Sequence, residues 1–114
     1  MKTKYVCRGI KNAKMQEAIR DNSRNGNHFF DKDTMTFWGS TVEYGMLPNN
    51  AFVTSEDNFD RSRRLFSVRQ YDWNTHEVDT ITFQQHDDLN EAILYAKNVD
   101  SNEKETMNLG NLQQ

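Results

Sequence analysis

The stretch Arg64–Phe83, RLFSVRQYDWNTHEVDTITF, admits few folds. Aromatic and β-branched residues interleave with polar ones on either side of Asp72-Trp73-Asn74-Thr75-His76-Glu77, a cluster whose Asp and Asn side chains suit a turn. The pattern predicts two antiparallel strands. Because side chains alternate along a strand, Phe66 and Val68 share one face, and Leu65, Arg69 and Tyr71 the other. On the second strand Ile81 and Phe83 go with Asp79, and Val78 with Thr80 and Thr82. An isolated hairpin is marginal in water, so these strands require a larger sheet. Phe66, Val68, Ile81 and Phe83 are expected to lie under a helix, with Arg64, Arg69, Tyr71 and Trp73 exposed.

The remaining elements fall around this hairpin. Tyr5-Val6-Cys7 reads as a short strand. Asn12 is a candidate N-cap for a helix over 13–22, whose Met15, Ala18 and Ile19 recur at helical spacing. His28–Phe30 reads as extended, Asp31–Thr34 as a tight turn, and Met35–Tyr44 as an alternating strand with Gly39 at a bulge or a close backbone approach. Ala51–Thr54 forms a further strand, and Ser55–Arg63 a polar loop. Asp88-Leu89-Asn90-Glu91 has capping-box spacing ahead of an apolar stripe at Leu89, Ala92, Ile93, Ala96 and Val99. The expected fold is α+β: a mostly antiparallel sheet of four or five strands. The 88–99 helix is expected on one face, with the 13–22 helix beside it. The domain is expected over 1–100, with 101–114 a flexible C-terminal tail.

Composition narrows the chemistry. Hydrophobic residues are 35% of the 114, and mean hydropathy is −0.96, so the core is thin, and a monomer or a homodimer is compatible with it. Aromatics at 11% nevertheless argue against disorder. The single cysteine, Cys7, excludes an internal disulfide. No segment approaches the roughly 20 apolar residues of a membrane span, and none has signal-peptide form; a cytoplasmic protein is expected. Residues 1–26 carry a net +5 and residues 27–114 a net −8.

No enzyme motif emerges. His28, His76 and His86 share no ligand spacing. Asp31 and Asp33 lack the further oxygen ligands of a calcium loop, and the five glycines are scattered rather than gathered in a phosphate loop. No catalytic residue, metal or cofactor is expected. Arg61, Arg63 and Arg64 form a basic run, followed by Arg69 with Tyr71 and Trp73, and basic side chains mixed with aromatics can grip nucleic acid. Glu56, Asp57 and Asp60 stand close enough to neutralise them. The helix–strands–helix order resembles the double-stranded-RNA-binding domain in topology. However, Asp87 and Asp88 stand where that family places lysines at the start of its last helix, and they would repel phosphate.

The segments FFDKDTMTFWGS, AFVTSE, RRLFSVRQYD, DTITFQ and EAILYAKN, over about 28–98, resemble those of small orphan proteins of phages and mobile elements. The resemblance implies a non-enzymatic protein of phage type that blocks a host protein, with a host defence nuclease complex as the expected partner (an anti-CRISPR-like role). The expected contacts are Trp38, Tyr44, Arg61, Arg63, Arg64, Arg69, Tyr71 and Trp73, because aromatic and Arg side chains anchor such interfaces. The alternative is a small nucleic-acid-binding or regulatory protein using the basic N-terminal segment and the Arg61–Arg69 cluster.

Overall fold

The computed structural model describes residues 12–102. The expected Tyr5–Cys7 strand lies outside them, as do residues 103–114 of the expected tail. The described chain runs α1 (Ala13–Arg24), α2 (Lys32–Trp38), β1 (Thr41–Tyr44), β2 (Ala51–Asp57), β3 (Arg64–Asp72), β4 (Glu77–His86) and α3 (Leu89–Lys97). The strands form one four-stranded sheet in the order β1-β2-β3-β4, every pair antiparallel. The fold is α+β, as its sequence pattern indicates.

The two expected helices have the caps their sequences provide. Asn12 Oδ1 accepts from the Met15 amide at 2.8 Å at the start of α1, and Asp88 Oδ2 accepts from the Glu91 amide at 2.9 Å at the start of α3. They do not lie beside one another as expected. Alternation along β2 sends Phe52 to one face and Ala51 and Val53 to the other. Phe52 packs with Met15, Ala18 and Ile19 of α1, together with Phe30, Met35, Val42, Met46 and Tyr71. Ala51, Val53 and Val68 pack instead with Ala92 and Ala96 of α3, flanked by Phe66, Leu89, Ile93 and Val99. The sheet is thus the middle of three layers, which is why six consecutive residues of β2 are buried.

The largest departure from the sequence expectation is at 31–44. Lys32–Trp38 is helical, not turn and strand, and only Thr41–Tyr44 is extended. Gly39 sits in the left-handed region at φ +69° and ends α2, its amide donating to Thr36 O at 3.0 Å and the Ser40 amide to Met35 O at 2.8 Å. Its role is therefore a helix stop rather than a strand bulge. At the other end of the fold, Ser55, Glu56 and Asp57 continue β2 instead of opening a long loop. The expected tail boundary also shifts, because Asn102 Nδ2 donates to Tyr71 O at 2.9 Å and Asn102 Oδ1 accepts from Asn50 Nδ2 at 2.7 Å.

The β3–β4 ladder carries two irregularities. Val68 pairs with Thr82 but Arg69 with Thr80, so Ile81 is an extra residue; between Phe66↔His86 and Val68↔Thr82 the register shifts again, around Gln84 at φ +54°. Past Ile81 the alternation changes phase. Phe83 therefore stands on the same face as Arg69, half exposed, and not under a helix as expected.

The turn at 73–76 is fastened to α1. His76 O accepts from Asn22 Nδ2 and from Asn27 Nδ2, both at 2.7 Å, and Asp21 Oδ2 lies 2.8 Å from His76 Nδ1 and accepts from Tyr71 Oη at 2.8 Å. His76 is thus a structural partner rather than a solvated turn residue. Burial by itself would raise the Asp21 carboxyl, but the hydrogen bonds from His76 and Tyr71 and the nearby His76 and Arg24 charges outweigh it and hold Asp21 below its ordinary value. Burial first, then the Asp21 carboxylate, pushes the Tyr71 phenol well above its ordinary value. A depressed carboxyl stabilises the fold above the unfolded-state pKa of about 3.9, and that contribution is lost as pH falls through the folded value. The D21N variant is therefore expected to unfold at lower urea than wild type at pH 7. The gap should narrow below about pH 4, as urea midpoints across pH 7 to 3 would show; a gap independent of pH would contradict this account.

Candidate binding cleft

The described residues do not cover the α1-side face along its whole length. α1 packs over Phe52 and Tyr71, and next to that covered region a cleft of about 500 Å³ opens, lined by Phe29, Trp38, Ser40, Glu56, Arg69, Val78, Thr80 and Phe83. Each lining group is placed by a feature already described. Phe29 follows α1, where its amide donates to Asn22 Oδ1 at 3.0 Å. Trp38 ends α2 where Gly39 stops it, and Phe83 reaches this face because of the Ile81 bulge.

A buried ion pair forms the floor. Arg69 Nη2 donates to Glu56 Oε2 at 2.8 Å, with side chains 8% and 2% exposed. On the paired strands Thr54 stands opposite Ser67, and the arginine lies across this pair to reach the glutamate. Arg69 Nε donates to Thr54 Oγ1 at 2.8 Å and Nη1 to Thr80 Oγ1 at 2.7 Å. The Glu56 carboxylate accepts further bonds from Thr54 Oγ1 at 2.7 Å, Ser67 Oγ at 2.7 Å and Ser40 Oγ at 3.4 Å. The guanidinium carbon lies 5.3 Å from the centre of the Phe29 ring and 5.8 Å from that of Phe83, within cation–π range of both. Charge, hydrogen bonds and rings together fix the arginine, so the floor is rigid and electrically neutral.

The rim is apolar and exposed. Trp38 is 65% and Phe83 55% exposed, and Phe37, 80% exposed just outside the lining, packs edge-on against Trp38 with ring centres 5.3 Å apart. Large exposed apolar groups gathered in one place mark interaction surfaces more often than scattered ones do.

Of the residues expected to make contacts, only Trp38 and Arg69 meet here, and Arg69 is a buried floor residue rather than an exposed one. Tyr71 is fully buried in the α1-side core. Trp73 packs edge-on against Tyr71 at 4.9 Å, and its indole N–H donates to Asn50 Oδ1 at 3.1 Å. Tyr44 packs against the α3-side core. The arginine run stands at the β2–β3 turn. Arg64 donates to Asp57 Oδ1 at 3.0 Å, Ser55 O at 2.7 Å and Gly39 O at 3.0 Å, and Arg63 lies 3.8 Å from Asp87. Arg61 is exposed in that turn at φ +60°. Phe29, Phe37, Glu56, Thr80 and Phe83 were not among the expected contacts. Phe37 carried a readable signal, because a seven-residue helix with Met35 inward turns Phe37 outward.

Among the described residues no group of three His, Cys, Asp or Glu side chains is placed to hold a metal ion, and no helix is long and apolar enough to cross a membrane. Fold and cleft together define a small three-layer α+β domain with an aromatic-rimmed, polar-floored cleft on one face. The chain belongs to a family of unknown function, DUF7447, whose model matches residues 14–97 and so takes in every element from α1 to α3. No curated protein and no solved structure matches it.

Proposed function

We propose that this chain is a non-enzymatic binding protein that docks another protein on the aromatic surface of Phe37, Trp38 and Phe83. Its specific form would be a phage-type inhibitor of a host defence nuclease complex. The observation that carries the reading is the exposed Phe37–Trp38 pair at the mouth of the cleft. Rings of this size in water gain by burial against a partner, and aromatic anchors dominate interface energetics. The described residues hold nine basic and fifteen acidic side chains, a balance suited to a basic partner surface such as a nucleic-acid channel. The same balance weighs against direct nucleic-acid binding, as do the local bonds of Arg63 and Arg64.

The test is inhibition of guide-directed DNA cleavage by purified nuclease complexes of a bacterial host, titrated with the chain. The F37A/W38A variant is expected to lose at least tenfold in inhibitory potency while its urea midpoint stays close to wild type, because exposed side chains contribute little to stability. Wild-type chain without effect on any complex tried, or a variant as potent as wild type, would remove the support for this reading.

A further inference from the structure

Resting on the reading of this face as a protein-docking surface, we infer that the cleft receives one uncharged aromatic side chain of the partner together with the backbone carbonyl beside it. Three observations lead there. First, the Phe29, Trp38 and Phe83 walls offer apolar faces on which a ring can pack, and the volume of about 500 Å³ leaves room for the backbone attached to it as well. Secondly, the hydrogen-bonding capacity left on the floor is donating. Glu56, the one carboxylate among the described residues that line the cleft, already accepts from four side chains. Among the described residues Arg69 uses three of its five N–H groups, and the exposed Thr80 hydroxyl accepts from Arg69 and has its own proton left for solvent or an occupant. An occupant that displaces water from these groups must therefore bring an acceptor. Thirdly, Arg69 is neutralised by Glu56 at 2.8 Å, so a carboxylate or phosphate would lose its hydration without meeting a net positive charge, whereas a neutral carbonyl has much less hydration to lose. Phe37 lies outside the cleft and stays exposed beside it, so the apolar contact extends beyond a ring-sized ligand, as a protein surface would.

The experiment titrates N-acetyl-phenylalaninamide into ¹⁵N-labelled full-length chain and follows the Trp38 indole and Arg69 Nε resonances. Saturable shifts at both are expected, with a Kd on the order of 1 mM, as for a single small fragment. T80V is expected to weaken binding about fivefold by removing one donor, T80S to restore it, and F83A to weaken it about tenfold by removing a wall. The inference is overturned if no shift occurs, if toluene binds as well as the amide, if the anion N-acetyl-phenylalanine binds better, or if uridine does, which would make the cleft a nucleobase site. Probe binding with an F37A/W38A variant that still inhibits fully would refute the docking surface and leave the ring site standing. Absence of probe binding, with inhibition still lost in that variant, would do the reverse.

Discussion

Replacing Arg69 with methionine is expected to lower the free energy of unfolding by about 3–5 kcal/mol, the usual consequence of removing one member of a buried ion pair. The loss arises from what remains. Glu56 is 2% exposed, and without the guanidinium its carboxylate keeps only the hydroxyls of Thr54, Ser67 and Ser40. Removing both charges should be far milder, because an apolar pair of similar volume often replaces a buried ion pair at little cost. The R69M/E56L double variant is therefore expected to recover most of the loss. Urea denaturation of the two single variants and the double variant completes the cycle. A single-variant loss under about 1 kcal/mol would mean that water reaches the carboxylate as readily as it reaches a surface acid.

Phe30→Ala is expected to cost a similar amount, about 3–5 kcal/mol, for a different reason. Phe30 is 2% exposed, and its ring centre lies 5.0 Å from that of Phe29, 5.7 Å from Phe52 and 6.3 Å from Tyr71. It joins the chain between α1 and α2 to the sheet, so truncation leaves a cavity at the meeting of three elements. Domains of this size have only about 5–15 kcal/mol in all, and the variant should be largely unfolded at modest urea. Phe59→Ala serves as the comparison. Phe59 is fully exposed at the β2–β3 turn, and its loss is expected to change the free energy of unfolding by no more than about 0.5 kcal/mol.

How much of this was legible beforehand depends on what each feature rests on. The hairpin and α3 follow from periodicity over many residues, and both stand close to where the pattern puts them. α2 escaped because seven residues give fewer than two full turns, and Met35-Thr36-Phe37-Trp38 alternates as convincingly as a strand. Its readable marks were an acid at the N-cap position, Asp31, whose side chain bonds His28 rather than the helix amides, and a stopping glycine, Gly39, at helical distance. The face of Phe83 depends on the extra residue at Ile81, and a bulge shifts the phase of a strand without altering its composition. The Glu56–Arg69 pair depends on register. Thirteen residues separate them in sequence, and only the Thr54↔Ser67 alignment places them within reach. The expected neutralisation of arginines by nearby acids was sound in kind: Asp57 does pair with Arg64, while Glu56 turns inward to a different arginine. Tyr71 read as exposed because alternation assigns it a face but says nothing of what covers that face.

The irregular β3–β4 ladder has a bearing on how the protein behaves in concentrated solution. β4 is the longer outer strand of the sheet, ten residues against four in β1, and a regular strand of that length would present a row of unpaired amides and carbonyls on which another copy could add itself. The extra residue at Ile81 and the left-handed backbone at Gln84 break that row. The Gln84 amide is turned back to Ser67 Oγ at 2.9 Å, out of reach of a neighbouring chain. Phe37, Trp38 and Phe83 can therefore stand exposed without an unbroken ten-residue seam beside them for fibrous self-association.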